Sequence, residues 1–293
     1  MKRTVLITGA EGFVGKHFQK KFAAGNDEVH TLDLKTGQDA RDFFRASDRR
    51  YDLVIHLAAV VGGRETIERE PLKVAVDLSI DAEMFQWALR TRPHRVVYFS
   101  SSAAYPTALQ SLERGTSLWE GAIDLSAIES PDMTYGFAKL AGEYQAKFLA
   151  EAGINTHVFR PFSGYGPGQD LTYPFPAFIQ RGVRGDSPFQ IWGDGDACRD
   201  FIHIDDIVNA VMTAVDQDIR VPINLGTGVA TSFNRLAWLV AQSVGYDPEF
   251  EWLLDKPTGV EYRVSDNSLM RSFYPPKISL EEGIGRAVRA ASA

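Results

Sequence analysis

The stretch Thr4-Val-Leu-Ile-Thr8-Gly9-Ala10-Glu11-Gly12-Phe13-Val14-Gly15-Lys16-His17 decides the fold. It opens as a short β-branched and apolar run, the pattern of a strand buried in a parallel sheet. Three glycines then lead into a segment whose apolar residues, Phe13, Val14, Phe18 and Phe22, recur at helical spacing. A dinucleotide site asks for that order. A strand ends, a tight turn lets backbone approach a pyrophosphate, and the positive end of a helix faces the anion. Gly9 makes the turn, Gly12 permits close approach and Gly15 lets helix pack on strand, with Phe13 and Val14 at the helix start beside the cofactor. The spacing is G-x-x-G-x-x-G, not the commoner G-x-G-x-x-G. A plain strand-to-helix turn could carry the same glycines; their place after a strand and before a helix favours the nucleotide.

Glu28-Val29-His30-Thr31-Leu32-Asp33-Leu34 reads as a second strand ending in an acid. Asp33 lies about 20 residues past the glycine turn, where a carboxylate accepts from adenine ribose hydroxyls. A 2′-phosphate there would meet like charge, so NAD is expected rather than NADP, although Lys35 weakens the contrast. Leu53 to Ala59 reads as a third strand and its exit, with Leu57, Ala58 and Ala59 small or apolar enough for the dinucleotide to lie across the strand end. Val60-Val-Gly-Gly63-Arg64 follows at the same edge, where open α/β sheets bind ligands, so Gly63 and Arg64 are candidate substrate contacts.

The chain has 293 residues, 44% of them apolar and 24% charged, with a net charge of −7. Such a chain can bury a large core. Its negative charge argues against a nucleic-acid groove or a membrane-binding face. A single cysteine, Cys198, leaves no intrachain disulfide and fits a reducing compartment. No apolar run approaches the ~18 residues of a membrane span. The first strand begins at once, without room for a signal peptide, and a cytoplasmic location is expected.

Strand patterns at 3–8, 28–32, 53–58, 95–100 and 155–160 alternate with helical patterns at 13–24, 72–91 and 134–152. This implies a doubly wound parallel sheet with helices on both faces. Asp39 could sit near adenine or cap the short helix after it. Phe175 to Arg184 reads as a helix. Asp205 reads as the N-cap of a helix over 206–216, and Ser279-x-x-Glu282 as a capping box, which makes those acids structural.

The fourth strand runs into Ser100-Ser101-Ser102, which is either a solvated turn or a donor to a reacting oxygen. Tyr135 and Lys139 share a helix face. Tyrosine has a pKa of ~10 and is a poor base at neutral pH. A lysine cation and a positive nicotinamide ring beside it would favour the phenolate.

Together Thr8-Gly-x-x-Gly-Phe-x-Gly15, Asp33, His56-Leu-Ala-Ala59, Ser100-Ser-Ser102 and Tyr135-x-x-x-Lys139 resemble the extended short-chain dehydrogenase/reductase family, in its nucleotide-sugar epimerase/dehydratase branch. The likeness continues through Arg160-Pro-Phe-Ser-Gly-Tyr-Gly-Pro167, Trp192-Gly-Asp-Gly195, Arg199-Asp-Phe-Ile-His-Ile-Asp-Asp206, Asn224-Leu-Gly-Thr-Gly228 and Pro276-Lys-Ile-Ser-Leu-Glu-Glu-Gly283. It implies Tyr135 as catalytic base, Lys139 as its helper and holder of the nicotinamide ribose, and Ser101, with Ser102 beside it, on the sugar oxygen that loses its proton. It implies a Rossmann-type domain over 1–163 and 201–228, and a smaller, mixed α/β substrate lobe over 164–200 and 229–293. In that lobe Arg199 and Arg263 are candidate diphosphate contacts, by guanidinium chelation or, alternatively, only in salt bridges. Trp192, Phe175 and Phe178 could line the pocket, but core packing is the better reading of each. The resemblance also implies a homodimer pairing the helices near 77–91 and 134–152, on faces bearing Met84, Trp87 and Tyr144.

The chain departs from the family at several points. Ser102-Ala103 stands where dehydratases of the branch carry Asp-Glu, so 4,6-dehydration is not expected. The cysteine of 3,5-epimerase and fucose-synthase types is also missing at Ala103, although Val61-Gly-Gly63 is similar to theirs. Asparagines expected near Ser79 and at Ser163, the latter a candidate substrate contact, are serines here. The remaining chemistry is hydride exchange at a sugar carbon. The expected function is an NAD-dependent nucleotide-sugar epimerase, with C4 epimerisation through a transient keto sugar. The alternative is an NAD(P)-dependent reductase or dehydrogenase of a nucleotide-linked keto sugar. A non-catalytic nucleotide-binding protein is a third class, disfavoured by the intact Ser101, Tyr135 and Lys139.

Overall fold

The computed structural model describes residues 2–292. Strands β1 (Thr4–Thr8), β2 (Glu28–Leu32), β3 (Leu53–His56), β4 (Arg95–Phe99) and β5 (Asn155–Pro161) lie where the alternation places them. With the strand Ile223–Leu225 they form one six-stranded sheet, in the order Ile223–Leu225, β5, β4, β3, β1, β2. Every pairing in it is parallel. The order reverses at β1, which lies between β2 and β3. The crevice outside the carboxyl ends there is where a doubly wound sheet binds ligands.

Helices α1 (Phe13–Ala23), α2 (Ala40–Ala46), α3 (Arg64–Arg69), α4 (Pro71–Val74), α5 (Val76–Thr91) and α6 (Met133–Glu151) connect these strands. Two apolar layers cover the sheet. On one face Val5, Ile7, Phe18, Ile55 and Phe99 pack with the helix Ile204–Asp216. On the other, Leu6, Val54 and Val96 pack with α2, α5 and α6. Burial of each large apolar side chain contributes about 1.5–3 kcal/mol, so these layers dominate the favourable side of folding.

A third cluster organises the remainder. Phe175, Phe178 and Ile179 of the helix Pro174–Arg184 pack with Phe189, Phe233, Leu236 and Ile284. Phe175 and Phe178 are therefore core residues. The strand Cys198–Arg199 pairs in parallel with Tyr262–Arg263 and antiparallel with Thr231–Ser232.

Asp200 clasps these segments. Its carboxylate accepts from the amide and hydroxyl of Thr227 (2.7 and 2.6 Å), the amide of Gly228 (3.0 Å), and the amide and hydroxyl of Ser265 (3.1 and 2.5 Å). Three stretches far apart in sequence thereby meet on one buried side chain.

Several local expectations change. Met84 and Trp87 are fully buried rather than on an exposed helix face. The α5 helix is covered on that side, where Trp87 packs against Phe44 and Tyr51 with ring centroids 5.2 and 6.2 Å away. Tyr144 is exposed, beside exposed Phe137 and Phe148 on α6. Asp205 is not a cap: the helix starts two residues earlier, at Ile204, and His203 Nδ1 accepts from the Asp205 amide at 3.1 Å. Asp39 caps α2, accepting from the Arg41 amide at 2.9 Å. Ser279 Oγ accepts from the Glu282 amide at 3.1 Å, but the Glu282 carboxylate turns to Arg286 (2.5 Å), leaving the box half-formed. Among the described residues no helix is long and apolar enough to cross a membrane.

Candidate active site

Close backbone contacts fix the glycine turn. Gly9 has φ +68°, and a Cβ there would lie 2.7 Å from the Leu57 carbonyl carbon. A Cβ on Gly15 would lie 2.3 Å from the Gly9 oxygen. Both neighbours are backbone, so a side chain at either position must displace the turn. Gly12 is the N-cap of α1 without a side-chain cap, which leaves the first amides of that helix free for an anion. Thr8 ties the turn to the exit of β3. Its hydroxyl accepts from the amides of Leu57 (3.2 Å) and Ala58 (3.1 Å) and meets His56 Nδ1 at 2.9 Å. Ala59 follows at the same edge, half-buried.

Asp33 sits at the carboxyl end of β2, with one oxygen accepting from the Glu11 amide (2.8 Å) and the other from the Lys35 amide (2.8 Å). It therefore holds the glycine turn, and its remaining lone pairs stay available to hydroxyl donors. The turn's missing Cβ atoms, the free amides and this carboxylate fit a dinucleotide.

The serine cluster divides by strand alternation. Ser100 points inward and donates to Glu143 (2.5 Å), which also accepts from Arg160 (2.7 Å) in a buried ion pair. Ser101 faces the site, caps the Ser102–Ala104 turn and accepts from the Ala103 amide at 3.1 Å. A Cβ on Gly136 would lie 2.2 Å from the Ala103 oxygen, so only glycine lets α6 press on this turn. That contact brings Tyr135 to Ser101.

Lys139 is buried one turn along α6, with Nζ 5.9 Å from the Tyr135 ring centre and 5.5 Å from that of Tyr98. Burial raises the Tyr135 phenol above its ordinary value. Lys139 and a hydrogen bond with Ser101 act the other way, while Asp77 and Asp81 add to the rise. Burial opposes the Lys139 charge, but Asp81, Tyr135 and Asp77 outweigh it and hold the ammonium above its usual range. The expected lowering by lysine is therefore present but outweighed.

The acids beneath the pair escaped notice in the sequence because carboxylates in a helix usually face solvent. Asp81 accepts from Tyr98 Oη (2.6 Å) and meets His56 Nε2 (3.1 Å). Asp77 accepts from the Val60 amide at 2.5 Å. The available signal was their spacing: 77, 81, 84 and 88 form one stripe, and all four residues are buried. Ser79, exposed and donated to by Arg41 at 3.3 Å, is not the inward-facing position; Asp77 is.

Arg199 and Arg263 are register partners on adjacent parallel strands, so their side chains share a face. Arg64 joins them. Asp132 accepts from Arg64 Nη1 (2.9 Å) and Arg263 Nη2 (2.7 Å). Glu68 accepts from Arg64 at 2.5 Å and Gln110 from Arg263 at 2.6 Å. The partners of Arg199 are backbone carbonyls of Cys198 and Thr258, both at 2.8 Å; among the described residues it pairs with no carboxylate. Burial and the neighbouring Arg263 charge push its guanidinium below the ordinary value. Three guanidiniums on two carboxylates leave net positive charge suited to a diphosphate. Gly63 and Ser163 lie in the surrounding shell. A Cβ on Gly63 would meet the Thr172 oxygen at 2.4 Å, and the Ser163 amide donates to the Asp200 carbonyl at 2.9 Å. Neither Asp132 nor Gln110 carried a signal in the sequence.

A family model described as "NAD dependent epimerase/dehydratase family" matches residues 5–226. The chain is 27% identical over 303 residues to GDP-L-fucose synthase 1 of Arabidopsis thaliana, covering 96% of this chain and 91% of the relative. It is 28% identical to a putative UDP-glucose 4-epimerase of Methanocaldococcus jannaschii, covering 97% of each. The crystal structure of a Thermus thermophilus UDP-glucose 4-epimerase, in complex with NAD, superposes with a TM-score of 0.82 over 98% of each chain at 21% identity. That last likeness is one of fold.

Proposed function

Because the chain belongs to the NAD dependent epimerase/dehydratase family, we propose that it is a nucleotide-sugar epimerase that inverts C4 through a transient keto sugar. NAD, when bound, supplies the acceptor and donor of the hydride, so no external oxidant is consumed. Gly9, Gly12, Phe13, Val14, Gly15 and Asp33 would hold it, with Leu57, Ala58 and Ala59 along its length. Tyr135 Oη takes the proton of the sugar hydroxyl and later returns it. Ser101, with Ser102 beside it, hydrogen-bonds the same oxygen, and Lys139 holds its charge near the phenol. Arg199 and Arg263, with Arg64, grip the diphosphate. Gly63 and Ser163 border the sugar.

The observation that carries the choice of reaction is the turn after β4. It presents Ser101 to Tyr135 but offers Ser102 and buried Ala103 where elimination of water would need acids. That leaves hydride and hydroxyl-proton transfer, the minimum for epimerisation.

A second reading is a reductase or dehydrogenase of a nucleotide-linked keto sugar, favoured by the Val61-Gly-Gly63 turn and by similarity to GDP-L-fucose synthases. Denaturing the purified protein and identifying the released nucleotide separates them. Stoichiometric NAD supports the epimerase; a site that is empty yet binds added cofactor reversibly supports the reductase. We also propose a homodimer through α6, whose exposed Phe137, Tyr144 and Phe148 form an apolar face. A monomer mass in light scattering would refute it.

A further inference from the structure

We propose that Asp77 is a positioning residue for the catalytic pair: its carboxylate, buried in α5 one turn before Asp81, offsets the charge that Lys139 presents to Tyr135. The proposal deepens the epimerase reading and rests on Tyr135 as its base.

Asp77 lies in the first turn of α5 and is fully buried. One oxygen accepts from the Val60 amide at 2.5 Å. The other, Oδ2, is buried and meets no hydrogen-bond partner among the described residues. Asp81, one turn later, has both oxygens engaged, by His56 and Tyr98. Asp81 faces α6 at close quarters, and Asp77 lies one turn before it on the same buried stripe of α5. A Cβ on Gly142 would lie 2.8 Å from Asp81 Oδ2, and Lys139, three residues before Gly142, sits over the Tyr98 ring.

An asparagine would fasten Val60 equally well through its amide oxygen, without the cost of burying a charge. The carboxylate at Asp77 therefore calls for an electrical rather than a mechanical account. The charged and titratable groups near it are Lys139 and Tyr135 from α6, Asp81 from its own helix and Tyr98 from β4; His56 of β3 meets Asp81. One ammonium is set against two carboxylates. With Asp77 ionised, Lys139 is more than neutralised and loses much of its pull on the phenol. Burial also raises the Asp77 carboxyl to about 6, with Lys139 opposing. The charge is therefore present at neutral pH and fades in mild acid.

The test is Asp77→Asn in the NAD-saturated protein, with tyrosine labelled at the ring carbon bearing the hydroxyl. The chemical shift of that carbon distinguishes phenol from phenolate, and Tyr135→Phe identifies the Tyr135 signal. The Tyr135 midpoint is expected to fall by about one pH unit in the Asn variant. An unmoved or raised midpoint overturns the proposal. Should the Asn variant not fold, the coupling is measured from the other side. In Lys139→Met the Asp77 carboxyl midpoint must rise, since charge coupling is reciprocal; an unchanged midpoint overturns the proposal. Neither reading depends on turnover. A shifted midpoint in a protein inactive on every nucleotide sugar would keep the Asp77 assignment and remove the epimerase reading. Turnover with an unmoved midpoint would do the reverse.

Discussion

Replacing Asp132 by asparagine should weaken the fold and tighten the grip on a diphosphate. Asp132 is buried between Arg64 and Arg263, and both guanidiniums hold its carboxylate down from the usual range against the opposing effect of burial. Breaking a buried pair on one side costs about 3–5 kcal/mol, mostly for the charge left behind. Here Arg64 keeps Glu68 at 2.5 Å and Arg263 keeps Gln110 at 2.6 Å, so the lower end applies. A loss of about 3 kcal/mol should lower the melting temperature by about 6–12 °C in a chain of this size. The same substitution removes a negative charge from a cluster of three guanidiniums. A bound diphosphate then replaces the missing carboxylate. Tenfold tighter binding would add about 1.4 kcal/mol at saturation. The assay is a thermal melt of parent and variant, each with and without a saturating nucleoside diphosphate. The ligand should raise the variant's melting temperature more than the parent's. An equal or smaller rise in the variant would refute a diphosphate role for these arginines. An unchanged melting temperature in the absence of ligand would refute the energetic role of Asp132.

Tyr135→Phe should leave NAD binding within a few-fold of the parent while lowering turnover by about 10²–10⁴-fold, the usual contribution of a positioned acid–base group; cofactor titration and initial rates check both halves. Gly9→Ala should weaken NAD binding by at least tenfold, because its φ of +68° and the Leu57 backbone 2.7 Å away forbid a Cβ without moving the turn; an unaltered affinity would mean the turn does not touch the cofactor. Asp77→Asn should stabilise the fold selectively at neutral pH. The folded carboxyl titrates at about 6 against about 3.9 unfolded, so the parent loses stability as pH rises through that window. The variant escapes this loss of up to about 3 kcal/mol, less about 1 for its unpaired amide nitrogen. Urea unfolding at both ends of the window should show a stability difference that grows with pH; a constant difference would contradict the raised carboxyl.

What was legible in the chain was what depends on near neighbours. The glycine turn, the acid ending β2 and the strand–helix alternation are read over a few residues or one βαβ unit, and each lies where its pattern puts it. The pairing of Tyr135 with Lys139 is likewise a matter of one helical turn. What escaped was set by packing between distant segments. Asp132 meets Arg64 across 68 residues and Arg263 across 131, and no local pattern encodes either meeting. Trp87 looked like a surface aromatic because α5 buries more than one side, which blurs its apolar stripe. His203 took the capping role expected of Asp205 because the helix begins two residues sooner, a boundary set by backbone rather than residue preference. Asp77 and Asp81 ran against the ordinary rule that acids face water, as titratable groups near a catalytic pair often do.

The clasp at Asp200 bears on how such a protein could be recombined. The region matched by the family model stops at 226, yet all five hydrogen bonds to Asp200 come from Thr227, Gly228 and Ser265 beyond it, and Arg263 lies two residues before Ser265. A fragment ending at the match would keep the glycine turn, Tyr135 and Lys139 while losing a guanidinium and every donor to the clasp. For the same reason the C-terminal stretch is not a cassette. A chimera built to change sugar preference must inherit residues 200, 227, 228 and 265 from one parent. Otherwise the strand bearing Arg199 loses its anchor, and the new pocket would be assembled on a loose hinge.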